Sequence, residues 1–281
     1  MLYQAKDLES YKLGAVDGEV GKVKDFYFDD QSFVVRYVVA DTRTWFFGGK
    51  VLLSPKSFER LDPQEQLIHV NLTKDQIKDS PKPEEHEPIN RQYEKELSDF
   101  HGWGYYWLGS GNMAGGGYNS SGTSVPGSVA PLPPIPEELG NEANKNRAGT
   151  QDDIREGHEE KELEEHLRHD DSALQSVDDI KGYDVHAKEG EIGKIRDVVI
   201  EGETQKIRYL VIDTGSTFNR QTILLSPEWV KDISWIDRTV TVPLEHDLLQ
   251  NAPVFEHDQA ITRDYEERLF THYNRPHYWT K

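Results

Sequence analysis

The chain has 281 residues, a formal net charge of −19, no cysteine and only 35% hydrophobic residues. The missing cysteines exclude disulfides, thiolate-bound zinc, iron–sulfur clusters and cysteine nucleophiles, and the negative charge argues against nucleic acid as the main partner, because a phosphate backbone attracts basic surfaces. The length suggests two domains. Without a leader pattern or an apolar run of about 18 residues, we expect a cytoplasmic protein with no transmembrane segment.

Short strands dominate the first third of the chain. Apolar residues alternate with polar ones from Val20 to Phe28, and β-branched and aromatic residues follow from Val34 to Asp41; this is the period of a strand and not of a helix. Further strands, separated by turns that contain proline, are predicted at 50–53, 58–61 and 66–72. Short strands at such close spacing predict a closed or nearly closed β-barrel.

Helical segments follow these strands. A capped helical turn is predicted over 73–77, before Pro81, because a threonine stands at its start. A second helix is predicted over 90–100, where Tyr93 and Leu97 lie four residues apart and share one face. The barrel is therefore expected to carry a helical tail that ends in aromatic residues.

Residues 108–172 differ in composition from what precedes and follows them. The stretch 109–140 is rich in glycine, serine and proline, and 150–171 is mainly Glu, Asp, His and Lys. Neither part carries enough apolar surface to offset the entropy lost on ordering. We interpret 108–172 as a flexible, acidic linker that forms at most a solvated helix.

The region after the linker repeats the region before it. A displacement of 172 positions aligns residues 2–107 with 174–279 without a gap. Apolar positions stay apolar in both copies, as a retained core requires. The chain is thus predicted to contain two copies of one domain and a linker, at 1–107, 173–281 and 108–172 respectively.

Four segments of the second copy, Gly182–Val185, Gly190–Ile200, Arg208–Thr214 and Leu224–Pro227, resemble the PRC-barrel domain family. That family is named after the cytoplasmic domain of the photosynthetic reaction-centre H subunit. A related barrel forms the C-terminal domain of a ribosome-maturation factor. The resemblance implies a mainly β fold with two barrels. It also implies interaction or assembly modules that share no set of catalytic residues, and it implies no cofactor.

Asp41 and Asp213 occupy matching places, each at the end of a predicted strand and before a threonine. An aspartate in such a place caps a turn by accepting hydrogen bonds from backbone amides. We therefore interpret both as structural residues and not as catalytic or ligand-binding ones. Gly21 and Gly193, which also match each other, are assigned to the same structural group.

Aromatic residues supply the predicted binding positions. Trp45, Phe46 and Phe47 stand beside two glycines in a loop that the second copy does not keep, so they form either an exposed contact or a cover for their own barrel. The tails add Trp103, Trp107 and Trp279. These rings would pack a tail against its own barrel or the sister barrel, or would bind another protein. Both a pairing of the two barrels within one chain and a homodimer are compatible with this pattern.

Catalytic and metal sites receive less support. His166 and His169 lie among glutamates and would share a helix face with Glu162, but nothing in so polar a stretch holds the geometry that a metal demands. No serine lies in a Gly-x-Ser-x-Gly turn, and no spacing marks a histidine as a base. We predict no catalytic residue and no resident metal.

The leading expectation is a non-enzymatic tandem barrel that acts as an interaction or assembly module for a protein partner, in stress adaptation for example. One alternative is a peripheral component of a membrane electron-transfer complex, where surface carboxylates and histidines would relay protons. A second alternative is a hydrolytic or metal-dependent enzyme, which requires a pocket with converging polar groups. Direct RNA binding ranks last because of the charge.

Overall fold

The computed structural model describes residues 1–43, 49–83, 89–108, 174–215 and 221–280. The strands of the first copy are β1 (Leu2–Gln4), β2 (Lys12–Ala15), β3 (Gly18–Asp29), β4 (Val35–Asp41), β5 (Lys50–Leu53), β6 (Phe58–Asp62) and β7 (Leu67–Val70). Its helices are α1 (Ala5–Leu8), α2 (Lys74–Asp79) and α3 (Arg91–His101), with short 3₁₀ turns at Pro55–Ser57 and Tyr106–Leu108.

The second copy has the same order of elements. Its strands are β8 (Leu174–Ser176), β9 (Asp184–Ala187), β10 (Gly190–Glu201), β11 (Ile207–Thr214), β12 (Gln221–Leu225), β13 (Asp232–Ser234) and β14 (Thr239–Thr241). Its helices are α4 (Val177–Ile180), α5 (His246–Gln250) and α6 (Arg263–His272), and its 3₁₀ turns lie at Pro227–Trp229 and Tyr278–Thr280. The predicted mainly β fold with short helices is confirmed, and the predicted linker lies almost wholly outside the described residues.

The sheet of each copy curves into a nearly closed barrel. In the first, the strands follow the order β5-β4-β3-β2-β7-β6, and only the β2–β7 pair is parallel. The two ends of this path, β5 and β6, are joined by the 3₁₀ turn at Pro55–Ser57, in which Ser54 accepts a hydrogen bond from the backbone N–H of Lys56. The second sheet has the matching order β12-β11-β10-β9-β14-β13. The two barrels predicted from the repeat are thus present.

The first strand of each copy belongs to the other copy's sheet. Strand β1 pairs with β10, with Tyr3 opposite Ile200, and β8 pairs with β3, with Gln175 opposite Phe28. The exchange is reciprocal, so each seven-stranded sheet contains six strands of its own copy and one from the sister copy. Each barrel is therefore completed by a segment that lies far away in the sequence.

The exchanged segments bring apolar residues into one shared core. Ala5 and Leu8 of α1 are buried, as are Val177 and Ile180, the matching residues of α4. These residues and the inner faces of both barrels form a single cluster of buried apolar side chains. In the described part of the chain, no helix combines the length and the apolar character that crossing a membrane requires.

Candidate interaction surface

A cleft of about 320 Å³ lies where the two copies meet. The turn after β3 forms one wall, and the 3₁₀ turn and strand β13 of the second copy form the other. Its lining residues are Asp30, Gln31, Phe33, Pro227, Val230, Lys231, Asp232, Ile233 and Trp235. Because both copies contribute walls, this site exists only when the two barrels are paired.

Aromatic rings line the cleft. Phe33 stacks on the buried Phe28, with 5.7 Å between ring centroids, and Trp235 lies 6.4 Å from the same Phe28. Phe33 and Trp235 both remain partly accessible. Ile236, the next residue after Trp235, is 94% exposed. Accessible rings beside a fully exposed aliphatic side chain are the composition that marks the centre of a protein interface.

The charged residues of the cleft are mostly acidic. Burial raises the pKa of Asp30, as does the neighbouring charge of Asp29, while a hydrogen bond with Gln175 acts in the opposite direction. Neither Asp30 nor Asp232 forms an ion pair with any described residue. Lys231 is the only cationic residue of the lining. Two carboxyl groups and one ammonium group are thus the charged groups among the described lining residues.

The two ring positions of the cleft, Phe33 and Trp235, are specific to one face of the barrel pair. Phe33 corresponds to Gln205 in the second copy, and Trp235 corresponds to Pro63 in the first. The equivalent positions on the opposite face thus carry an amide and a proline in place of two rings. The opposite face has a ring of its own at Phe58, the counterpart of Val230, so the two faces differ in the number and position of their rings.

The fold and the duplication agree with a comparison against known families. A model of the PRC-barrel domain matches the chain twice, at residues 3–77 and 175–249, which together make up just over half of it. The chain belongs to the PRC-barrel domain family. It contains two PRC-barrel domains, as the sequence resemblance predicted. No curated protein matches the chain.

Five of the predicted site residues fall in parts of this PRC-barrel protein that the structure does not describe. Trp45, Phe46 and Phe47 lie in the loop between β4 and β5, and His166 and His169 lie between the barrels in sequence. The binding role of the three aromatic residues therefore stays a prediction. Among the described residues, no cluster of three or more His, Asp or Glu side chains is arranged to hold a metal ion.

The tail tryptophans make ring contacts within the chain. Trp103 stacks on His101 with 4.2 Å between centroids, and burial lowers the pKa of that histidine to about 4. Trp107 packs edge-on against Tyr106. Trp279 stacks on His277 at 4.5 Å and lies under the guanidinium of Arg263 at 4.1 Å. Trp103 and Trp279 also pack against the shared core while staying partly accessible.

The two strand-end aspartates have different partners. Asp41 accepts hydrogen bonds from the backbone N–H and the guanidinium of Arg43, and the latter bond is the main reason why the pKa of Asp41 is lowered. Asp213 accepts from the hydroxyl of Thr222 at 2.9 Å and from Arg196 at 2.9 Å. Among the described residues, Asp41 thus has the hydrogen bond with a nearby backbone amide that its position at a strand end predicted, and Asp213 does not.

The paired glycines lie where two strands approach too closely for a side chain. A Cβ atom at Gly21 would lie 2.2 Å from the carbonyl oxygen of Asp41, and one at Gly193 would lie 2.0 Å from that of Asp213. Both contacts are with backbone, which cannot move without disturbing the β3–β4 or β10–β11 pairing. The two glycines therefore permit the close strand approach that leads to each aspartate.

One polar chain in the second barrel contains the residue types of a catalytic triad. The Thr222 hydroxyl donates to Asp213, and the His257 Nε2 atom lies 3.3 Å from the same hydroxyl. In a triad, histidine stands between the hydroxyl and the carboxylate so that it takes the hydroxyl proton. Here the hydroxyl stands between the other two, and the second nitrogen of His257 faces Lys6. The chain links an exchanged segment to the second barrel through Lys6 and His257.

Sequence reasoning missed Phe33, Trp235 and Ile236. Trp235 and Ile236 are two adjacent apolar residues in a turn, and Phe33 directly precedes a predicted strand; a few apolar residues in such places are common on surfaces. A signal was nevertheless present in the duplication, because these positions hold Gln205, Pro63 and Gln64 in the other copy. When the two copies match elsewhere, positions that are aromatic in one copy and not in the other identify a face at which the copies differ.

Proposed function

We propose that this tandem PRC-barrel protein is a non-enzymatic, cytoplasmic interaction module that holds a protein partner in the cleft between its barrels. The cleft itself is the observation that carries the proposal, because it joins accessible rings from both copies, and the exposed Ile236 directly follows one of these rings in the sequence. Such a surface gains binding energy when a partner covers it. The acidic rim and the net charge of −19 favour a partner whose contact surface is basic.

The non-enzymatic character rests on two observations in the described residues. The cleft is lined by rings, aliphatic side chains, Gln31, Lys231 and two carboxyl groups that form no ion pair with a described residue, and its described lining contains no histidine or hydroxyl group that would act as base or nucleophile. In the chain of His257, Thr222 and Asp213, the hydroxyl and not the histidine stands in the middle, unlike in a triad. These features support a binding role for this surface over a catalytic one.

Capture of the partner from the source cells tests the proposal. The tagged full-length protein is crosslinked mildly, and co-purifying proteins are compared for wild type, Ile236→Glu and Trp235→Ala by quantitative mass spectrometry. We expect a stoichiometric partner whose recovery falls at least about tenfold in both variants, as for the loss of a central anchor. Ile236→Glu should leave the melting temperature unchanged, because that side chain makes little contact with the protein.

Val16→Glu provides the matched control, since Val16 is also an exposed apolar residue in a turn between strands. Its recovery of the partner should equal that of wild type. A partner retained by both cleft variants would show that another surface binds it, and the aromatic loop at 45–47 would then be the next surface to change. If no protein is recovered at stoichiometric level, the interaction function itself is wrong.

A further inference from the structure

The two barrels meet through equivalent positions, as the subunits of a twofold dimer do. Val34 pairs with Lys206, and these residues are 172 positions apart. On either side, the N–H of Ile207 donates to the carbonyl of Phe33 at 2.7 Å, and the N–H of Val35 donates to the carbonyl of Gln205 at 2.8 Å. A pseudo-twofold axis therefore passes between Val34 and Lys206.

A second pair of equivalent positions meets with opposite charges. Glu9 follows α1 and Lys181 follows α4, again 172 positions apart, and their side chains form an ion pair at 2.5 Å. Both side chains are about three-quarters buried, with 24% and 23% of their surface exposed. Burial acts to lower the pKa of Lys181, but hydrogen bonds with Asp178 and Glu9 outweigh it, so the net shift is upward. The pair is thus shielded from solvent and well formed.

A strand-exchanged pair of like copies would lose this contact. On a twofold axis a residue faces itself, so two first copies would bring Glu9 against Glu9, and two second copies would bring Lys181 against Lys181. Like charges at that distance in a partly buried place repel strongly. Two first copies would also place Lys24 near Lys6, where the observed pair has Lys24 near Asp178 at 3.7 Å.

We propose that Glu9 and Lys181 form a pairing code, by which the first and second copies select each other and strand exchange between like copies is rejected. The backbone contacts at the axis do not discriminate, because carbonyl and N–H groups are common to both copies. The charges of Glu9 and Lys181 do discriminate, and the contact between Lys24 and Asp178 adds to their effect. This inference concerns how the barrels pair and is independent of what the cleft binds.

The test starts from the folded full-length chain, with a specific protease site inserted between Gly140 and Asn141. After cleavage of the native protein, native mass spectrometry counts unlike and like pairs of fragments at equilibrium, and dilution gives the Kd. In wild type we expect unlike pairs only. Glu9→Lys and Lys181→Glu should each raise the Kd of the unlike pair about tenfold or more, and the double exchange Glu9→Lys with Lys181→Glu should restore it to within about threefold.

Glu245→Lys is the matched control, because Glu245 forms an exposed ion pair with Lys188 within the second copy and away from the axis. It should leave the Kd unchanged. Like pairs in amounts comparable to unlike pairs in wild type would overturn the proposal. So would a double exchange that binds as weakly as the single variants, since that would assign their effect to damage at each site and not to the charge relation between the sites.

Discussion

Two buried aspartates sit where the exchanged segments cross the barrels. Asp25 accepts hydrogen bonds from the Ser176 hydroxyl at 2.6 Å and from the N–H of Asp178 at 3.1 Å, and its equivalent, Asp197, accepts one from the N–H of Lys6 at 3.4 Å. Burial raises the pKa of each carboxyl to about 6 despite these bonds. Both junctions therefore contain an acid that keeps its proton up to about pH 6.

The raised pKa values set the direction of a pH effect. An ordinary aspartate has a pKa of 3.8, so between pH 3.8 and about 6 the folded protein binds more protons than the unfolded chain. The free energy of unfolding contributed by each carboxyl therefore falls as the pH rises through this window. A shift of about two pKa units corresponds to roughly 3 kcal/mol per group.

Replacement of Asp197 tests this effect. In Asp197→Asn no charge has to be buried, so its free energy of unfolding relative to wild type should rise by about 1.4 kcal/mol between pH 5 and pH 7.5, which is the part of the pKa shift that lies above pH 5. Urea denaturation of both proteins at the two pH values measures it. Glu267→Gln, which removes an exposed carboxyl from α6, should show little of this difference. A stability change in Asp197→Asn that is the same at both pH values would contradict the argument.

At the scale of elements, helix α6 is hydrogen-bonded to the second barrel through one buried carboxylate. Glu266 is only 2% exposed. Its Oε1 atom accepts hydrogen bonds from the hydroxyls of Tyr209 on β11, at 2.6 Å, and Tyr278 in the tail, at 2.9 Å. Its other oxygen pairs with Arg263 at 2.9 Å. One side chain thus joins strand, helix and tail.

Two tyrosine variants compare this link with an ordinary hydrogen bond. Tyr209→Phe removes a bond to the buried carboxylate and should cost about 1.5–3 kcal/mol, because hydrogen bonds to charged groups are stronger. Tyr265→Phe removes a bond of the same hydroxyl type to the carbonyl of Pro253 and should cost about 1 kcal/mol. Urea denaturation ranks the two variants. Equal losses would mean that the carboxylate adds nothing beyond a neutral acceptor.

Most elements were predictable, but their partners were not. Alternation over 20–28 predicted the central part of β3, and the predicted helices at 73–77 and 90–100 correspond to α2 and α3 with shifts of one or two residues at their ends. The exchange was missed because strand periodicity specifies which side chains face inward and not which strand lies alongside. Leu2–Gln4 and Leu174–Ser176, with three residues each, fit either sheet by pattern.

At the scale of the whole molecule, the strand exchange means that a substitution in the first strand of one copy destabilises the barrel of the other copy. The N–H of Gly202 donates to the carbonyl of Met1 at 2.9 Å. Since hydrogen-bonded pairs alternate along antiparallel strands, Tyr3 and Ile200, two residues further on, also exchange hydrogen bonds. A proline at position 3 has no N–H to donate and so removes part of the contact that completes the second barrel.

Hydrogen exchange in two reciprocal variants measures this effect. Tyr3→Pro should increase the exchange rate of β10 amides in the second barrel by at least about tenfold while β3 is affected less. Gln175→Pro, at the equivalent position, should do the opposite and expose β3 in the first barrel. The expected increase corresponds to a loss of about 1.4 kcal/mol or more in local opening free energy. Each variant acting only on the barrel of its own copy would refute the exchanged arrangement.

The exchanged strand also determines when the first barrel is completed as the chain is made. Its last own strand ends at Val70, yet the strand that pairs with the end of β3 is at Leu174–Ser176. Translation adds about 5–20 residues per second, so the hundred-odd residues between them take roughly 5–20 s to synthesise. During that time the β3 edge presents unpaired N–H and carbonyl groups, the kind of edge to which other chains add. Protection of this edge on the ribosome is therefore part of what the cell must provide for the protein to reach its folded state.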